Sequence, residues 1–399
     1  MNKDLNSWLE KIGQANAQLF GKRLAGNDTL LTGAHQAGLY LPKDVAFAVF
    51  PEIASSQDPN PDATIPTIID SHGLPERAVR TVWYNQGSRN ECRITGWGGG
   101  SSPLLDPEST GSLCLFAFVQ DDTRAAIECR VWLCHDVAEE ELVETGFGEV
   151  LPGSWFFNDS DRSVVIPAPH SHRCWLRPED MPPVWLRQFP TTMEIHSEAL
   201  RLHGDAAGQT PDQRLISRRD CEYQLFLSVE EAHVLPRIRT GFANVSDFIK
   251  TAGSITQRRK ARSGLSLELH IETIFKEEGL IQFERGAQTE TQKKPDFLFP
   301  SASAYLDSAF SPDGLRMLGV KTTCKDRWRQ VVDEAHRIPT KHLFTLQEGV
   351  SVNQFQQMRE AGIQLVVPGS IHRRYPPEIR PELISLSQFI KETKAQLGS

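Results

Sequence analysis

Short apolar runs separated by clusters of Gly, Pro, Asn and Asp fill most of the first 170 residues, and this pattern predicts short strands joined by turns. The expected strands are residues 46–50, 80–84, 112–119, 126–134 and 163–168. Residues 6–24 place their apolar side chains at helical spacing and predict a helix near the start of the chain. Many short strands of this kind are typical of a β-barrel or sandwich.

From residue 194 onward, helical periodicities alternate with short apolar strands. Residues 222–242 and 245–279 predict two long helices. Four strands are expected downstream, at residues 296–300, 315–321, 342–346 and 363–368. Two further helices are expected to begin at Trp328 and Asn353. Strands and helices interleaved in this order predict an α/β domain built on a mixed sheet.

Between these two parts lies a segment, 167–190, that contains six prolines and can continue neither a helix nor a central strand. A chain of 399 residues also exceeds what one hydrophobic core usually serves. The sequence therefore predicts an α+β, multidomain protein. We expect a β-rich domain at 1–170, a linker at 171–182 and an α/β domain at 183–399.

The charge is divided unevenly along the chain. The net charge of −8 by itself argues against a nucleic-acid partner, but residues 1–170 hold 12 basic and 23 acidic side chains, whereas the rest holds 31 and 28. The basic residues of the second part form four clusters: Arg214, Arg218, Arg219; Arg258, Arg259, Lys260, Arg262; Lys321, Lys325, Arg327, Arg329; and Arg373, Arg374. Local patches of this kind can bind DNA despite an acidic total.

The sequence predicts a soluble, cytoplasmic protein with no membrane partner, because it has no apolar run of eighteen residues and no secretory leader. Its seven cysteines are an odd number without a C-x-x-C pair, which favours reduced thiols over a disulfide framework or a zinc ribbon. His170, His172 and Cys174 form H-x-H-x-C, but a fourth spaced ligand is missing, so a zinc hydrolase is a weak alternative.

The strongest chemical signal joins two expected strands. Asp296 begins one of them and Lys321 ends the next, as in the PD…xK half of the PD-(D/E)xK nuclease signature. Phosphodiester hydrolysis needs carboxylates that hold Mg²⁺ against the phosphate and a cation that orients or activates the attacking water. The residue two positions before the lysine is usually acidic and points to the same site, but here it is Gly319.

Gly319 leaves two interpretations open. With one carboxylate the site would hold Mg²⁺ poorly, which favours a non-catalytic, sequence-specific DNA-binding regulator with a degenerate nuclease fold. Glu334, at the flank of the helix expected from Trp328, can instead supply the missing carboxylate and favours an enzyme. Upstream, Glu268 and Glu272 share one helix face, and either can complete an outer shell.

At these residues the chain resembles the EcoRII restriction endonucleases, a family of type IIE enzymes. The strings KKPDFLFPSA, VKTTCKDRWRQ, HLFTLQEGVS and GAHQAGLYLP carry the resemblance, which extends over nearly the whole chain. It implies an N-terminal DNA-binding pseudobarrel followed by a C-terminal PD-(D/E)xK nuclease domain. It also implies an Mg²⁺-dependent homodimer that cuts double-stranded DNA at CCWGG and is activated allosterically by a second recognition site.

The resemblance assigns roles to individual residues. It implies a catalytic set of Asp296, Lys321 and Glu334, with Glu268 and Tyr305 accessory and with Asp296 and Glu334 as metal ligands. Base readout is implied for Lys325, Asp326 and Arg327, and a pocket for a flipped central base for Arg219 and Tyr223. A surface for the second, effector DNA is implied for His35, Tyr40, Arg89, Glu91 and Arg93. Cys92 stands where the family has a lysine, so a DNA contact is expected to be lost there.

Overall fold

The computed structural model describes residues 4–32, 38–87, 89–158, 174–204, 207–289 and 293–398. These residues form a mixed α/β structure with two β-sheets, one before residue 159 and one after residue 283. Within the described residues, no helix combines the length and the apolar character needed to span a membrane.

The first sheet has eight strands in the order β2-β5-β4-β3-β7-β6-β1-β8. They are β1 Ala17–Arg23, β2 Gly38–Leu41, β3 Asp62–Ile69, β4 Arg77–Tyr84, β5 Glu91–Thr95, β6 Leu113–Gln120, β7 Ala126–Leu133 and β8 Trp155–Asn158. All neighbours pair antiparallel except β3 and β7, which run parallel. The accompanying helices are α1 Leu5–Gln14, α2 Lys43–Val49, α3 Pro51–Ser55 and α4 Val137–Phe147.

Both faces of this sheet are covered, which explains why β6 is apolar at nearly every position. Phe116 and Phe118 pack into a core that includes α2, whereas Leu115 and Ala117 face a second core that includes α1. Helix α1 begins after Asp4, whose side chain accepts a hydrogen bond from the backbone N–H of Ser7. A strand buried on both faces reads as a continuous apolar run rather than an alternating one.

Two predictions for this part are wrong. The helix expected at residues 6–24 ends at Gln14, and Ala17–Arg23 pairs as β1 between β6 and β8. The strand expected at 46–50 is the end of α2, because this apolar run packs helically against the sheet. The strands expected at 80–84, 112–119 and 126–134 are confirmed, with ends that differ by at most three residues, and the one at 163–168 lies outside the described residues.

The second sheet is smaller and mixed, in the order β13-β12-β11-β10-β9. Its strands are β9 Glu284–Arg285, β10 Phe297–Phe299, β11 Arg316–Lys321, β12 Lys341–Thr345 and β13 Ile363–Val366. Strands β11, β12 and β13 are parallel, while β10 is antiparallel to both of its neighbours. All four strands predicted here from the sequence are therefore confirmed.

Helices pack on both faces of the second sheet. The helices of this part of the chain are α5 Pro183–Arg187, α6 Thr192–His203, α7 Pro211–Thr240, α8 Val245–Glu277, α9 Ala302–Leu306, α10 Trp328–Val332, α11 Val352–Glu360 and α12 Leu386–Leu397. Of these, α5 and α6 pack on α7 rather than on the sheet. Leu267, Ile271 and Ile274 of α8 lie at helical spacing and share a core with β10, β11 and β12. This packing fixes α8 beside the strands that carry Asp296 and Lys321.

The expectation that every cysteine is a reduced thiol is wrong for one pair. Cys174 and Cys221 form a disulfide, because the described part of the proline-rich segment packs against α7 and brings their Cα atoms to 5.2 Å. The other five cysteines are free and buried. A disulfide sulfur is not a thiolate ligand, which argues further against zinc at Cys174. His170 and His172 lie outside the described residues.

Candidate active site

Asp296 and Lys321 meet where β10 and β11 lie side by side. Asp296 immediately precedes β10, and Lys321 is the last residue of β11. Oδ2 of Asp296 accepts a hydrogen bond of 2.6 Å from the Val320 backbone N–H and lies 3.2 Å from Nζ of Lys321. Both side chains are about one-fifth exposed, so the pair is held by the sheet and remains open to solvent.

Glu334 reaches this pair from the segment after α10. The prediction that it lies on the helix is wrong, because α10 ends at Val332 and Ala335 takes a left-handed conformation with φ of 49°. Burial, followed by the negative charge of Asp296, raises the pKa of Glu334 to about 7, and Lys321 opposes that rise. Its Oε2 is buried and has no hydrogen-bond partner among the described residues.

Glu268 approaches the same centre from α8. Its pKa is also raised to about 7, first by burial and then by Asp296, while Arg285 and Lys321 lower it. Nη1 of Arg285 lies 4.0 Å from Oε2 of Glu268, and the same guanidinium is 3.2 Å from Glu272. The structure therefore brings Glu268 and Glu334 each into electrostatic interaction with Asp296 and with Lys321.

The donor set suits a hard divalent cation. Within the described residues, His, Cys, Asp and Glu side chains form no group of three already spaced to hold a metal ion. The carboxylates that are present are nevertheless the ligands that Mg²⁺ prefers. The buried Oε2 of Glu334, which has no partner among the described residues, and the repulsion of Asp296 with Glu268 and with Glu334 are both features that a bound cation would relieve. Asp296 and Glu334 could hold the ion, with Glu268 behind them.

The Lys321 end of the site opens into a cleft of about 340 Å³. One wall comes from the second part of the chain and includes Glu268, Lys321 and Arg327. The opposite wall comes from α4 and the residues after it, including Glu141 and Glu149. An acidic wall thus faces a basic one across the candidate site.

Comparison with known proteins decides the family. Residues 13–162 match the family model described as restriction endonuclease EcoRII, N-terminal, and residues 226–390 match the model described as EcoRII C terminal. The chain is also 44% identical over 396 residues to the type II restriction enzyme EcoRII of Escherichia coli, covering 97% of this chain and 96% of that enzyme. The chain belongs to the EcoRII family. It is a type II restriction endonuclease, a site-specific deoxyribonuclease.

Two solved structures are similar at a lower level. They are metal-depleted Ecl18kI in complex with uncleaved, modified DNA and metal-depleted Ecl18kI in complex with uncleaved DNA. Both are 17% identical, cover 53% of this chain and 80% of Ecl18kI, and have TM-scores of 0.45 and 0.42.

For an EcoRII-family enzyme, the placement of the expected flipped-base pocket is informative. Arg219 is 1% exposed, and its Nη2 donates to Oε1 of Glu149 at 2.9 Å, while its Nε and Nη1 have no partner among the described residues. The Tyr223 hydroxyl donates to the Glu149 carbonyl at 3.4 Å. Arg262 of α8 binds the other Glu149 oxygen at 2.8 Å and holds Glu222 with two further hydrogen bonds. Glu149, from the EcoRII-N part, therefore occupies this pocket.

The residues expected to read bases lie in the loop between β11 and α10. The Lys325 side chain donates to the Ser112 hydroxyl, and Nη2 of Arg327 lies 3.5 Å from Oε1 of Glu141. Asp326 is exposed between them. Two of the three expected readers thus bind residues of the N-terminal part in this structure.

Four of the five expected effector residues lie near one another on the first sheet. Tyr40 of β2 pairs directly with Arg93 of β5 in the strand register, and Nε of Arg93 lies 3.1 Å from Glu91. Arg89 is exposed in the turn before β5, and its guanidinium lies 5.9 Å from the Tyr84 ring. Cys92 is fully buried in the core, so its side chain offers no surface to DNA. His35 lies outside the described residues.

The sequence alone did not predict the contacts that Glu149, Arg262 and Arg285 make around the site, nor that Tyr305 is buried. Tyr305, expected as an accessory group, is 1% exposed, and its hydroxyl accepts the backbone N–H of Arg337 at 3.2 Å. Glu149 and Arg219 are 70 residues apart in sequence, and no local motif links them. The excess of acidic residues before residue 171 and of basic residues after it was the one sequence signal that indicated ion pairs between the two parts.

Proposed function

We propose that this EcoRII-family enzyme is an Mg²⁺-dependent, homodimeric endonuclease that cuts both strands of CCWGG-like sites and is activated by a second copy of the site. The observation that carries the proposal is the convergence of Asp296, Lys321, Glu334 and Glu268 at the edge of the second sheet. We further propose the domains expected from the sequence: effector-binding residues 1–170, a linker at 171–182 and a catalytic domain at 183–399.

The chain's own residues have separable tasks in this proposal. Asp296 and Glu334 would hold Mg²⁺, which when bound neutralises charge on the phosphate and lowers the pKa of coordinated water. Lys321, oriented by its contact with Asp296, stabilises negative charge on the phosphate and orients the attacking water. Glu268 lies behind this pair and adjusts the charge of the site through Asp296 and Arg285.

Recognition of the target is assigned to the loop after β11. Lysine and arginine donate to guanine O6 and N7, and aspartate accepts from cytosine N4, so Lys325, Asp326 and Arg327 match the edges of C and G bases. Because the readers follow Lys321 by four to six residues, a read base pair would lie close to the scissile phosphate. A target of odd length also has a central base pair that a two-fold dimer cannot contact symmetrically.

Extrusion of that central base would resolve the asymmetry, and two observations support a pocket for it. Arg219 keeps two buried donors without partners among the described residues, and a base edge could satisfy them. The planar guanidinium and the Tyr223 ring also suit stacking against a base. Because each chain holds a single candidate catalytic set, cutting both strands in one event calls for two chains.

The proposed activation by a second DNA site is supported by the contacts that the N-terminal part makes with the proposed DNA-binding residues. Ser112, Glu141 and Glu149 hold residues proposed for base readout and base binding, so the structure described here corresponds to a covered state in our proposal. A second DNA site would activate the enzyme only if it binds the uncovered state more tightly than the covered one.

A chain of contacts supports such coupling. Tyr40, in the proposed effector surface, donates its backbone N–H to Asp28 at 2.7 Å and accepts from Lys22 at 3.2 Å. Lys22 and Asp28 in turn act on the pKa of Glu348, which burial raises and which Arg374 lowers most strongly. Effector DNA that moves Tyr40 would therefore change the electrostatic interaction of Lys22 and Asp28 with Glu348 of the nuclease part.

The proposal is tested by incubating the enzyme with a random-site DNA library in Mg²⁺ or in EDTA and sequencing the ends. We expect double-strand cuts at CCWGG-like sites in Mg²⁺ alone. Asp296→Asn should abolish them, whereas Asp333→Asn, which changes an exposed neighbour of Glu334, should not. Cutting by Asp296→Asn at the wild-type rate, or ends without a common sequence, would contradict the proposal.

A separate experiment tests extrusion of the central base. The fluorescence of a 2-aminopurine at the central position should increase when the enzyme binds, and Tyr223→Ala should reduce that increase.

A further inference from the structure

One arginine outside the cleft is bound in an unusual way. Nη1 of Arg337 donates to the carbonyl oxygens of Tyr305 and Asp307, the latter at 2.9 Å, and Nη2 donates to that of Phe310 at 2.6 Å. Its backbone N–H donates to the Tyr305 hydroxyl at 3.2 Å. The guanidinium also lies 5.6 Å from the centre of the Tyr305 ring. One residue thus joins the segment after α10 to the end of α9 and the loop that follows it.

The segment that Arg337 holds is the one that presents Glu334. The Glu334 backbone N–H donates to the Val331 carbonyl, and the Ile338 N–H donates to the Ala335 carbonyl, so the chain makes two consecutive turns around Ala335. Ala335 has a φ of 49°, a region that a residue with a Cβ rarely adopts and that persists only when the surroundings enforce it. The contacts of Arg337 lie two residues further on and provide such enforcement.

Two features argue that this arginine is not a DNA-binding residue. All four of its donor contacts are directed at backbone carbonyls and a buried hydroxyl. It is also absent from the wall of the cleft that contains Lys321 and Arg327. A planar guanidinium fixed by several carbonyls is well suited to hold a turn in one geometry.

We infer that Arg337, together with the Tyr305 hydroxyl, is a positioning residue that holds Glu334 in its place beside Asp296. The inference rests on the proposed role of Glu334 as a ligand of Mg²⁺. Oε2 of Glu334 is buried without a partner among the described residues, so no described side chain holds this oxygen, and the backbone turn sets where the carboxylate lies. Outer-shell partners of metal ligands commonly affect metal affinity or activity by about 10- to 100-fold when removed.

The inference predicts that removing the Arg337 side-chain donors raises the Mg²⁺ concentration needed for cleavage, rather than simply abolishing activity. Arg337→Met keeps the aliphatic stem and removes the donors. We expect the Mg²⁺ concentration for half-maximal cleavage of a two-site plasmid to rise by about ten-fold, with much of the rate recovered at saturating Mg²⁺. Arg337→Lys should recover part of the affinity, and Tyr305→Phe should give a smaller shift in the same direction. Arg359→Met is the matched control, because that exposed arginine of α11 pairs with Glu382 instead.

A direct measurement of metal binding tests the inference without relying on cleavage activity. In a Lys321→Ala background, Mn²⁺ is titrated calorimetrically into the full-length protein bound to a CCWGG duplex, with Arg337→Met, Glu334→Gln or Arg359→Met added. We expect the first two to weaken Mn²⁺ binding and the third to leave it unchanged. If Glu334→Gln weakens binding but Arg337→Met and Tyr305→Phe behave like Arg359→Met, the inference is wrong and the proposed function stands. If Glu334→Gln is also silent, the proposed metal site fails and the inference fails with it.

Discussion

Gly319 of β11 lies directly beneath Val331 of α10, so closely that a Cβ at residue 319 would come within 3.0 Å of Val331 Cγ2 and 3.1 Å of Cγ1. Real Cβ atoms rarely approach so closely, and Val331 is fully buried and cannot move aside freely. An acidic side chain at this position, as in the general nuclease motif, would therefore require Val331 and α10 to move away from the sheet. The glycine allows α10 to approach the sheet, and the approach brings Glu334 to Asp296.

Restoring the general motif should consequently impair this enzyme. We predict that Gly319→Glu lowers cleavage at least as strongly as Gly319→Ala, because either side chain displaces α10 and with it Glu334. Overpacking of this kind typically costs about 1–3 kcal/mol of stability. Urea unfolding and cleavage rates measure the two effects. The double variant Gly319→Ala, Val331→Ala should regain activity relative to Gly319→Ala, and no recovery in a folded double variant would contradict the steric explanation.

Replacing Lys321 tests its role in catalysis separately from DNA binding. We predict that Lys321→Ala cuts at least about 100-fold more slowly, since a preorganised group that stabilises transition-state charge is commonly worth that much. Specific binding to a CCWGG duplex should persist, because the proposed readers are other residues. Gel-shift and cleavage assays measure both quantities. Lys391→Ala, on α12, is the matched control, and near wild-type cleavage by Lys321→Ala would remove the lysine from the mechanism.

The parts of the site that could be predicted from sequence are those fixed by local chain geometry. Asp296 and Lys321 flank two short apolar strands, and strands of this kind place their end residues predictably. The spacing after Lys321 indicated Glu334 as a candidate, but nothing in the sequence predicted the turn at Ala335. The apolar pattern continues to Ala335, whereas α10 ends at Val332.

Other features depend on partners distant in sequence. Residues Ala17–Arg23 have apolar side chains that fit a helix, yet β6 and β8 offer backbone partners on both sides and a strand forms. Pairing of this kind overrides local propensity. The disulfide between Cys174 and Cys221 could not be predicted for the same reason, since these cysteines meet only when the proline-rich segment packs on α7.

A buried histidine predicts how stability depends on pH. His270 of α8 is fully buried, the centre of its ring lies 4.4 Å from that of His196 in a T-shaped arrangement, and neither ring nitrogen has a hydrogen-bond partner among the described residues. Burial, and then the nearby positive charges, hold its pKa well below the usual value of 6.5. Below about pH 6.5 the unfolded chain therefore binds a proton that the folded chain does not, and stability falls as pH decreases.

The measurement compares urea unfolding at pH 7.5 and 5.5. His270→Leu cannot titrate, so its loss of stability between these two values should be smaller than that of the wild type by about 1.4 kcal/mol. His336→Leu, at an exposed position, serves as the control and should leave the difference unchanged. An equal pH dependence in wild type and His270→Leu would show that His270 does not remain neutral in the folded protein.

The contact between Glu149 and Arg219 predicts how the covered state is released. The pKa of Glu149 is lowered by Arg219 and Arg262 against an opposing effect of burial, so the carboxylate is charged where it meets the two guanidinium groups. Glu149→Gln removes that charge but keeps the size of the side chain, and it weakens the two charge-assisted hydrogen bonds that join Glu149 to Arg219 and Arg262 and that the proposed uncovered state would lack. Bonds of this kind contribute about 1.5–3 kcal/mol each at most.

We therefore predict that Glu149→Gln raises the initial cleavage rate on a one-site plasmid by about ten-fold, because a shift of about 1.4 kcal/mol toward the uncovered state changes its population by that factor. On a two-site plasmid, where effector DNA already favours the uncovered state, the rate should change little, and the ratio of the two rates should fall. Glu52→Gln, at an exposed position of α3, controls for the loss of one negative charge. A ratio that stays at the wild-type value in a folded Glu149→Gln enzyme would mean that Glu149 does not restrain the nuclease, however closely it contacts Arg219.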